Sequence, residues 1–300
     1  MAAAARPVKL RDFLLLVLVC LLWASNNVLS KLVISHWHVP PLFYTAVRFA
    51  IVTLVTLPWL LPMPRPAWRI VVIGLAMGAG SFGLMFVGLT WASPSEAAIV
   101  VQSSVPMTTL LSIWLLKERI HWRRGLGIAI ALAGVLVVVW TPGFQVSQGM
   151  GFILAAALSG SLGAVLMKQM DSIAPLRFQA WVGLTGLLLL APISLLTEPD
   201  AWQAALLAGW PLVAAVVWSA LIVSVFAHTA YYFLISRYEA NLIAPLTLMT
   251  PLVTIGLGIM ITHDQFDTRM ALGSALALAG VLLVALRRTG APIAAVQERS

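Results

Sequence analysis

The chain consists of long apolar runs separated by short polar connections. The runs are solidly apolar and do not alternate with polar residues, which disfavours the strands of a membrane β-barrel. About 20 helical residues cross a hydrocarbon core about 30 Å thick, and a helix pairs its own backbone groups in lipid. We therefore predict an all-α integral membrane protein with ten transmembrane helices. Their approximate bounds are 12–34, 41–61, 68–89, 95–116, 122–141, 149–169, 176–197, 209–235, 239–261 and 268–287.

Two stretches of the sequence repeat each other. Residues 127–140 read GIAIALAGVLVVVW, and residues 273–286 read GSALALAGVLLVAL. The match predicts two five-helix repeats, at 10–143 and 147–288. Because five is an odd number of crossings, the second repeat is expected to be inverted in the membrane relative to the first. Inverted repeats around a midplane cavity are a plan found in small-molecule transporters.

Composition and charge support the membrane prediction and orient it. Of all residues, 61% are hydrophobic and 9% are charged, whereas soluble domains carry about 25% charged residues. Lysine and arginine cluster at both termini and in the even-numbered loops, which predicts that both termini are cytoplasmic. The net charge of +8 is then a topology signal, and no nucleic-acid partner is expected. Residues 289–300 are predicted to be a disordered cytoplasmic tail.

Few residues have the chemistry of a catalyst or a metal ligand. Cys20 is the only cysteine, so neither an intrachain disulfide nor a cysteine-based metal site is expected. We predict no metal and no cofactor. Ser93 and Glu96 at the start of helix four, and Ser236 and Glu239 at the start of helix nine, fit the S-x-x-E capping box. A structural capping role is favoured for them over proton coupling.

Several segments together resemble a known family. They are LLWASNNVLSKL in helix one, PPLFYTAVRF at the start of helix two, KERIHWRRGLGIAIALAGVLVV across helices four and five, and SRYEANLIAPLTLMTPLVTIGLGIMITHDQF in the second half. The chain resembles the EamA branch of the drug/metabolite transporter superfamily, and within it bacterial exporters of aromatic amino acids or cysteine-type metabolites. The resemblance implies that helices one to four and six to nine surround a central cavity, with helices five and ten outside it. It also implies export of a small solute by alternating access.

Polar residues and prolines inside the helices are the candidates for the cavity lining. Buried polar groups in lipid are costly unless they find partners, and a mid-helix proline frees a backbone carbonyl. The predicted lining residues are Trp23, Ser25, Asn27, Arg48, Ser81, Phe82, Met85, Gln102, Ser103, Pro106, Ser161, Trp218, Ser224, His228, Tyr231, Pro245 and Pro251.

Other roles stay open for some of these residues. Asn27 is as suited to bonding neighbouring helices as to facing a solute, and the prolines are as suited to packing kinks. Arg48, about seven residues inside helix two, has a functional role, forms a structural ion pair or snorkels to the outer interface, and the first two together are favoured. A hydrogen-bonded structural role is favoured for His228, and snorkelling to the membrane surface is favoured for Lys31.

The leading functional hypothesis is export of neutral amino acids, including aromatic ones, by a monomer or weak homodimer in contact with membrane lipid. The alternative is a cationic drug/proton antiporter. Helix one disfavours a cation antiporter, because it contains Asn26 and Asn27 and has no acidic residue after Asp12. A membrane-embedded enzyme is a remote alternative, since the sequence has neither an H-E-x-x-H nor a G-x-S-x-G motif.

Overall fold

A computed structural model describes most of the chain. The described residues are 9–117, 122–139, 147–167, 169–170, 173–238 and 246–285. Within these ranges the secondary structure is helical and contains no strand. The predicted tail at 289–300 lies outside them.

We number the continuous helical segments α1 to α10 in chain order. Several contain short π-helical or 3₁₀ stretches. The bounds are α1 Leu10–His36, α2 Pro41–Trp59, α3 Ala67–Gly88, α4 Pro94–Leu116, α5 Trp122–Val139, α6 Gln148–Met167, α7 Pro175–Thr197, α8 Ala201–Val217 continued by the π-helix Trp218–Ala227 and by His228–Arg237, α9 Met249–Thr262 and α10 Thr268–Ala285.

Seven of these helices are long and apolar enough to cross a membrane, namely α1 to α4 and α6 to α8. The other three, α5, α9 and α10, are shorter apolar helices. Both α5 and α10 border residues outside the described ranges. The bundle surface carries large apolar side chains such as Leu195 and Leu196, which are 80% and 84% exposed. A surface of this kind is suited to lipid rather than water.

Helix eight begins earlier than its apolar pattern predicts. It starts at Ala201 rather than near residue 209, and its backbone breaks at Gly209, where φ is 60° and ψ is −142°. Glycine tolerates this positive φ because it has no Cβ. Pro211 follows, and it cannot donate a backbone hydrogen bond to the preceding turn. The predicted start of helix nine, at 239, lies outside the described residues. Within them, α9 begins at Met249.

Glycines bring α5 and α10 into close contact. A Cβ added to Gly134 would fall on the backbone of Ala277, and one added to Gly280 would fall on the backbone of Ala131. Gly127 and Gly273 likewise lie against backbone carbonyls of the opposite helix. The glycines spaced seven residues apart therefore form a small-residue interface between these two helices.

The other helices interlock across the two halves. The α2 and α7 helices pack with Gly186 against the Phe49 ring. The α1 helix packs on α9 and α8, whereas α6 packs on α4 and α3. Ser161 of α6 donates a hydrogen bond to the Ser104 carbonyl of α4 at 2.9 Å.

Carboxylates cap two helices from distant parts of the chain. Glu198, after α7, accepts hydrogen bonds from the backbone amides of Leu42 and Phe43 at the start of α2, at 3.0 and 2.7 Å. Asp264, after α9, accepts from the backbone amide of Ser95 in α4 at 2.9 Å and from the Ser95 hydroxyl. Such contacts satisfy amides that a helix start leaves unpaired.

Two local predictions have different outcomes. Both reciprocal bonds of the capping box at Ser93 and Glu96 are present, at 3.1 and 2.9 Å. The Ser236 side chain and Glu239 lie outside the described part of the chain. The Lys31 Nζ donates to the Leu89 carbonyl just after α3, at 2.7 Å, and its snorkelling stays a prediction. Unpaired carbonyls at a helix end attract a cation.

Candidate functional site

A cavity of about 220 Å³ lies between α1, α2, α3 and α8. It brings together six of the predicted lining residues with two neighbours. The lining consists of Trp23, Asn26, Asn27, Arg48, Phe82, Val223, His228 and Tyr231.

Arg48 is the charged group of this cavity. Its side chain is 0% exposed, and its Nε donates to the Ser224 hydroxyl at 2.8 Å. Among the described residues, its Nη1 and Nη2 atoms have no hydrogen-bond partner. The guanidinium lies over the Phe82 and Phe86 rings, 4.8 and 5.5 Å from their centroids. No structural ion pair to Arg48 is present among the described residues.

A hydrogen-bonded chain behind the cavity joins three helices. The Tyr44 hydroxyl of α2 lies 2.5 Å from the Ser219 hydroxyl of α8. Ser219 in turn donates to Asn26 Oδ1 of α1 at 2.7 Å. The Ser224 hydroxyl, which receives the Arg48 bond, donates to the Ser219 carbonyl at 2.9 Å. Arg48 is therefore oriented by a chain of groups that already have partners of their own.

The π-helical segment of α8 makes this arrangement possible. The Ser224 hydroxyl, within this segment, donates to the carbonyl five residues earlier. His228, which directly follows the segment, also bonds five residues back, with its Nδ1 2.8 Å from the Val223 carbonyl. The wider turn of a π-helix brings positions five apart to one face, and such segments occur often at functional sites.

Aromatic rings form much of the remaining cavity wall, together with Asn26, Asn27 and Val223. The Trp23 ring lies 5.2 Å from the His228 ring and 5.1 Å from the Tyr231 ring, between centroids. The Phe82 ring lies 5.9 Å from the His228 ring. The Trp23 Nε1 atom is buried and has no hydrogen-bond partner. The cavity thus combines unpaired N–H donors of Arg48 and Trp23 with an apolar aromatic wall.

The remaining predicted residues lie away from this cavity or are not described. Ser224 lies directly behind it, at Arg48. Ser25 donates to the Leu22 carbonyl of its own helix at 2.9 Å, and Ser81 packs beside Gly160 of α6. Met85 belongs to the apolar core with Tyr44. Pro245 lies outside the described residues.

Helices four, six and nine do not reach the cavity. Gln102 is half-buried and Ser103 is buried in a 3₁₀ turn of α4, where the Ser103 hydroxyl faces Met107. Pro106 and Pro251 are buried within α4 and α9, and Ser161 bonds to α4, as described above. Trp218 is 37% exposed at the start of the π-helix. None of these side chains lines the cavity.

Sequence reasoning missed Tyr44, Ser219 and Val223. Tyr44 precedes Arg48 by four residues, so helical spacing could have placed both on one face. Ser219 precedes Ser224 by five residues, which places them on one face only in a π-helix. The apolar pattern of α8 contains no signal for that change of period.

A larger recess of about 580 Å³ occurs where the α1–α2 and α7–α8 connections meet, around Glu198. It contains none of the predicted site residues. Glu198 itself is engaged with the start of α2. The smaller cavity is the candidate site, because the unpaired buried donors are there.

These helices and the polar cavity between them define a multi-pass membrane protein. The model of the EamA-like transporter family matches residues 11–140 and again residues 147–286. The chain therefore belongs to the EamA-like transporter family, which supports a transporter with a small-molecule solute.

Similar proteins cover nearly the whole chain. Two named "Probable amino-acid metabolite efflux pump" are each 25% identical to it. The one from Salmonella typhimurium strain LT2 aligns over 283 residues, 91% of this chain and 94% of its own length. The one from Escherichia coli K12 aligns over 284 residues, with the same two shares. A crystal structure of a protein with 22% identity has a TM-score of 0.62 over 91% of this chain and 96% of that one, which shows the fold alone.

Proposed function

We propose that the protein exports neutral amino acids, including aromatic ones, and related small metabolites across a bacterial inner membrane by alternating access. One observation carries the proposal. The buried Arg48 guanidinium presents two unpaired nitrogens to a cavity whose other walls are largely aromatic. A guanidinium binds a carboxylate through two parallel hydrogen bonds. The carboxylate of an amino acid would therefore complete the site.

Size and lining agree with such a solute. The cavity has a volume of about 220 Å³. Sites for drug-sized ligands are typically larger, at about 300–1,000 Å³, so this cavity suits a smaller solute. Trp23, Phe82 and Tyr231 would accept varied apolar side chains, at about 25 cal/mol for each Å² removed from water. Contacts to the common headgroup discriminate little between side chains, so broad specificity is expected.

The helix contacts support inverted repeats. If helices one to five correspond to helices six to ten, exchanging the halves converts the α1–α9 contact into the α6–α4 contact. It also converts the α3–α6 contact into the α8–α1 contact, and all four are present. The two matches to one family model, at 11–140 and 147–286, agree with this correspondence. We propose ten crossings with both termini cytoplasmic.

Transport by purified protein in liposomes tests the function. We expect entry of labelled phenylalanine, with competition by other neutral amino acids and none by a quaternary ammonium dye. Arg48→Lys keeps the charge but loses the two-pronged donor, so phenylalanine uptake should fall about tenfold, in line with a charged hydrogen bond worth roughly 1.5–3 kcal/mol. Accumulation of the dye without any amino acid would refute the proposal and favour a cation antiporter.

A further inference from the structure

We infer that His228 binds the amino group of the substrate, so that the site takes an α-amino acid as a dipolar ion with its carboxylate at Arg48. This inference rests on the proposed function and adds a requirement for the amine. It assigns a specificity role to a histidine that otherwise looks like a structural, hydrogen-bonded residue.

The hydrogen bond at one ring nitrogen determines what the other can do. His228 Nδ1 lies 2.8 Å from the Val223 carbonyl oxygen. A carbonyl oxygen can only accept, so Nδ1 carries the proton and donates. In the neutral ring, Nε2 is then an acceptor with a free lone pair. A protonated ring would add a second positive charge to the cavity that holds Arg48, which is unfavourable in an apolar environment.

Besides His228, the lining offers an amine the amide oxygens of Asn27 and of Asn26, and the latter already accepts from Ser219. None of the cavity's described lining residues is a carboxylate, so an ammonium group cannot form an ion pair with the wall. A neutral acceptor ringed by aromatic faces is the alternative. The Trp23 and Phe82 rings, 5.2 and 5.9 Å from the imidazole, would add cation–π attraction to an ammonium held at Nε2.

His228 and Arg48 are close enough to hold one small molecule between them. Both side chains lie against the Phe82 ring. The centroid of that ring is 4.8 Å from the guanidinium carbon and 5.9 Å from the imidazole centroid. The site therefore has a carboxylate end at Arg48 and an amine end at His228. Such a pair matches the two charges that every neutral amino acid carries.

Three ligands that differ only in their headgroup test the inference. L-phenylalanine has both charges, 3-phenylpropanoate lacks the amine and phenethylamine lacks the carboxylate. Binding to the purified wild-type protein should be at least tenfold tighter for phenylalanine than for either analogue. His228→Phe keeps a ring but removes the acceptor. It should weaken phenylalanine binding about tenfold and leave 3-phenylpropanoate binding unchanged, which also shows that the variant is folded. His228→Gln restores an acceptor and should recover part of the loss.

Equal loss of both ligands in His228→Phe, or no loss of either, would overturn the role of His228. If that variant does not fold, the wild-type ligand series decides. Equal binding of phenylalanine and 3-phenylpropanoate to the wild-type protein rejects the amine site while leaving amino-acid transport intact. Failure of the wild-type protein to bind phenylalanine at all rejects the proposed function and this inference with it.

Discussion

Burying the Arg48 guanidinium costs several kcal/mol, and the described contacts offset only part of that cost. The two rings beside it contribute about 2 kcal/mol or somewhat more together if desolvated, and one of its nitrogens is bonded to Ser224. Two nitrogens stay unpaired. A carboxylate from the solute would supply the missing partners, which makes the empty site the less favourable state.

Ser224 is expected to position Arg48 rather than to contact the solute. In Ser224→Ala the Nε–H loses its acceptor and the guanidinium is free to reorient. Phenylalanine binding should weaken by about tenfold, in line with a hydrogen bond to a charged group worth roughly 1.5–3 kcal/mol. Ser161→Ala is the matched control, since Ser161 is equally buried but bonds only to backbone carbonyls outside the cavity. Equal effects of the two changes on binding would contradict the positioning role.

At the scale of elements, close packing joins one pair of helices, whereas capping satisfies the backbone amides at the starts of two others. The α5–α10 pair depends on the absence of side chains at four glycines. The starts of α2 and α4 are capped by carboxylates of residues in the connections that follow α7 and α9. The α8 helix changes to a π-helix at Trp218, and this change brings Ser224 and His228 to the cavity.

The glycine interface predicts a position-specific response to one added methyl group. Gly134→Ala places a Cβ on the Ala277 backbone, so it should destabilise the protein by about 1–3 kcal/mol through overpacking. Gly151→Ala in α6 meets nothing within 4 Å and should be neutral or stabilising, because alanine favours a helix by about 0.5–1 kcal/mol over glycine. Thermal unfolding in detergent measures both. A Gly134→Ala variant as stable as Gly151→Ala would argue against the interface.

At the scale of the whole molecule, the interlocked halves enclose the candidate cavity, and the proposed solute carries no net charge. A dipolar amino acid adds no net charge to the cavity, and none of the described lining residues is a carboxylate that could carry a proton. Moving the site from one side of the membrane to the other therefore transfers no substrate charge. This favours facilitated diffusion.

Transport should consequently respond to the solute gradient alone. In proteoliposomes, a potassium diffusion potential of either sign should leave the initial rate of phenylalanine uptake unchanged, and accumulation should stop at equal concentrations. Liposomes without protein correct for leakage. Uphill phenylalanine uptake driven by an imposed pH gradient, and abolished by replacing His228 or Glu239, would instead establish proton exchange.

The features that the sequence predicts are those that depend on neighbouring residues. Long apolar runs lead to helices because lipid leaves their backbone groups no other partner. The capping box at Ser93 and Glu96 is likewise set by spacing within one helix. Arg48, Trp23 and His228 could be selected as site candidates because polar or aromatic residues inside apolar helices are costly or distinctive.

Only the tertiary structure decided what those side chains meet. Glu198 and Asp264 cap helices more than 150 positions away in the chain, and no local pattern specifies such partners. The partner of Lys31, the Leu89 carbonyl just after α3, likewise lies 58 positions away in the chain. The α8 helix brings Ser219, Ser224 and His228 together because it is π-helical there. The amino-acid composition of this segment does not predict that change of helical period. Which Arg48 nitrogens are paired depends on the acceptors that the tertiary structure brings beside them, and among the described residues only Nε has one.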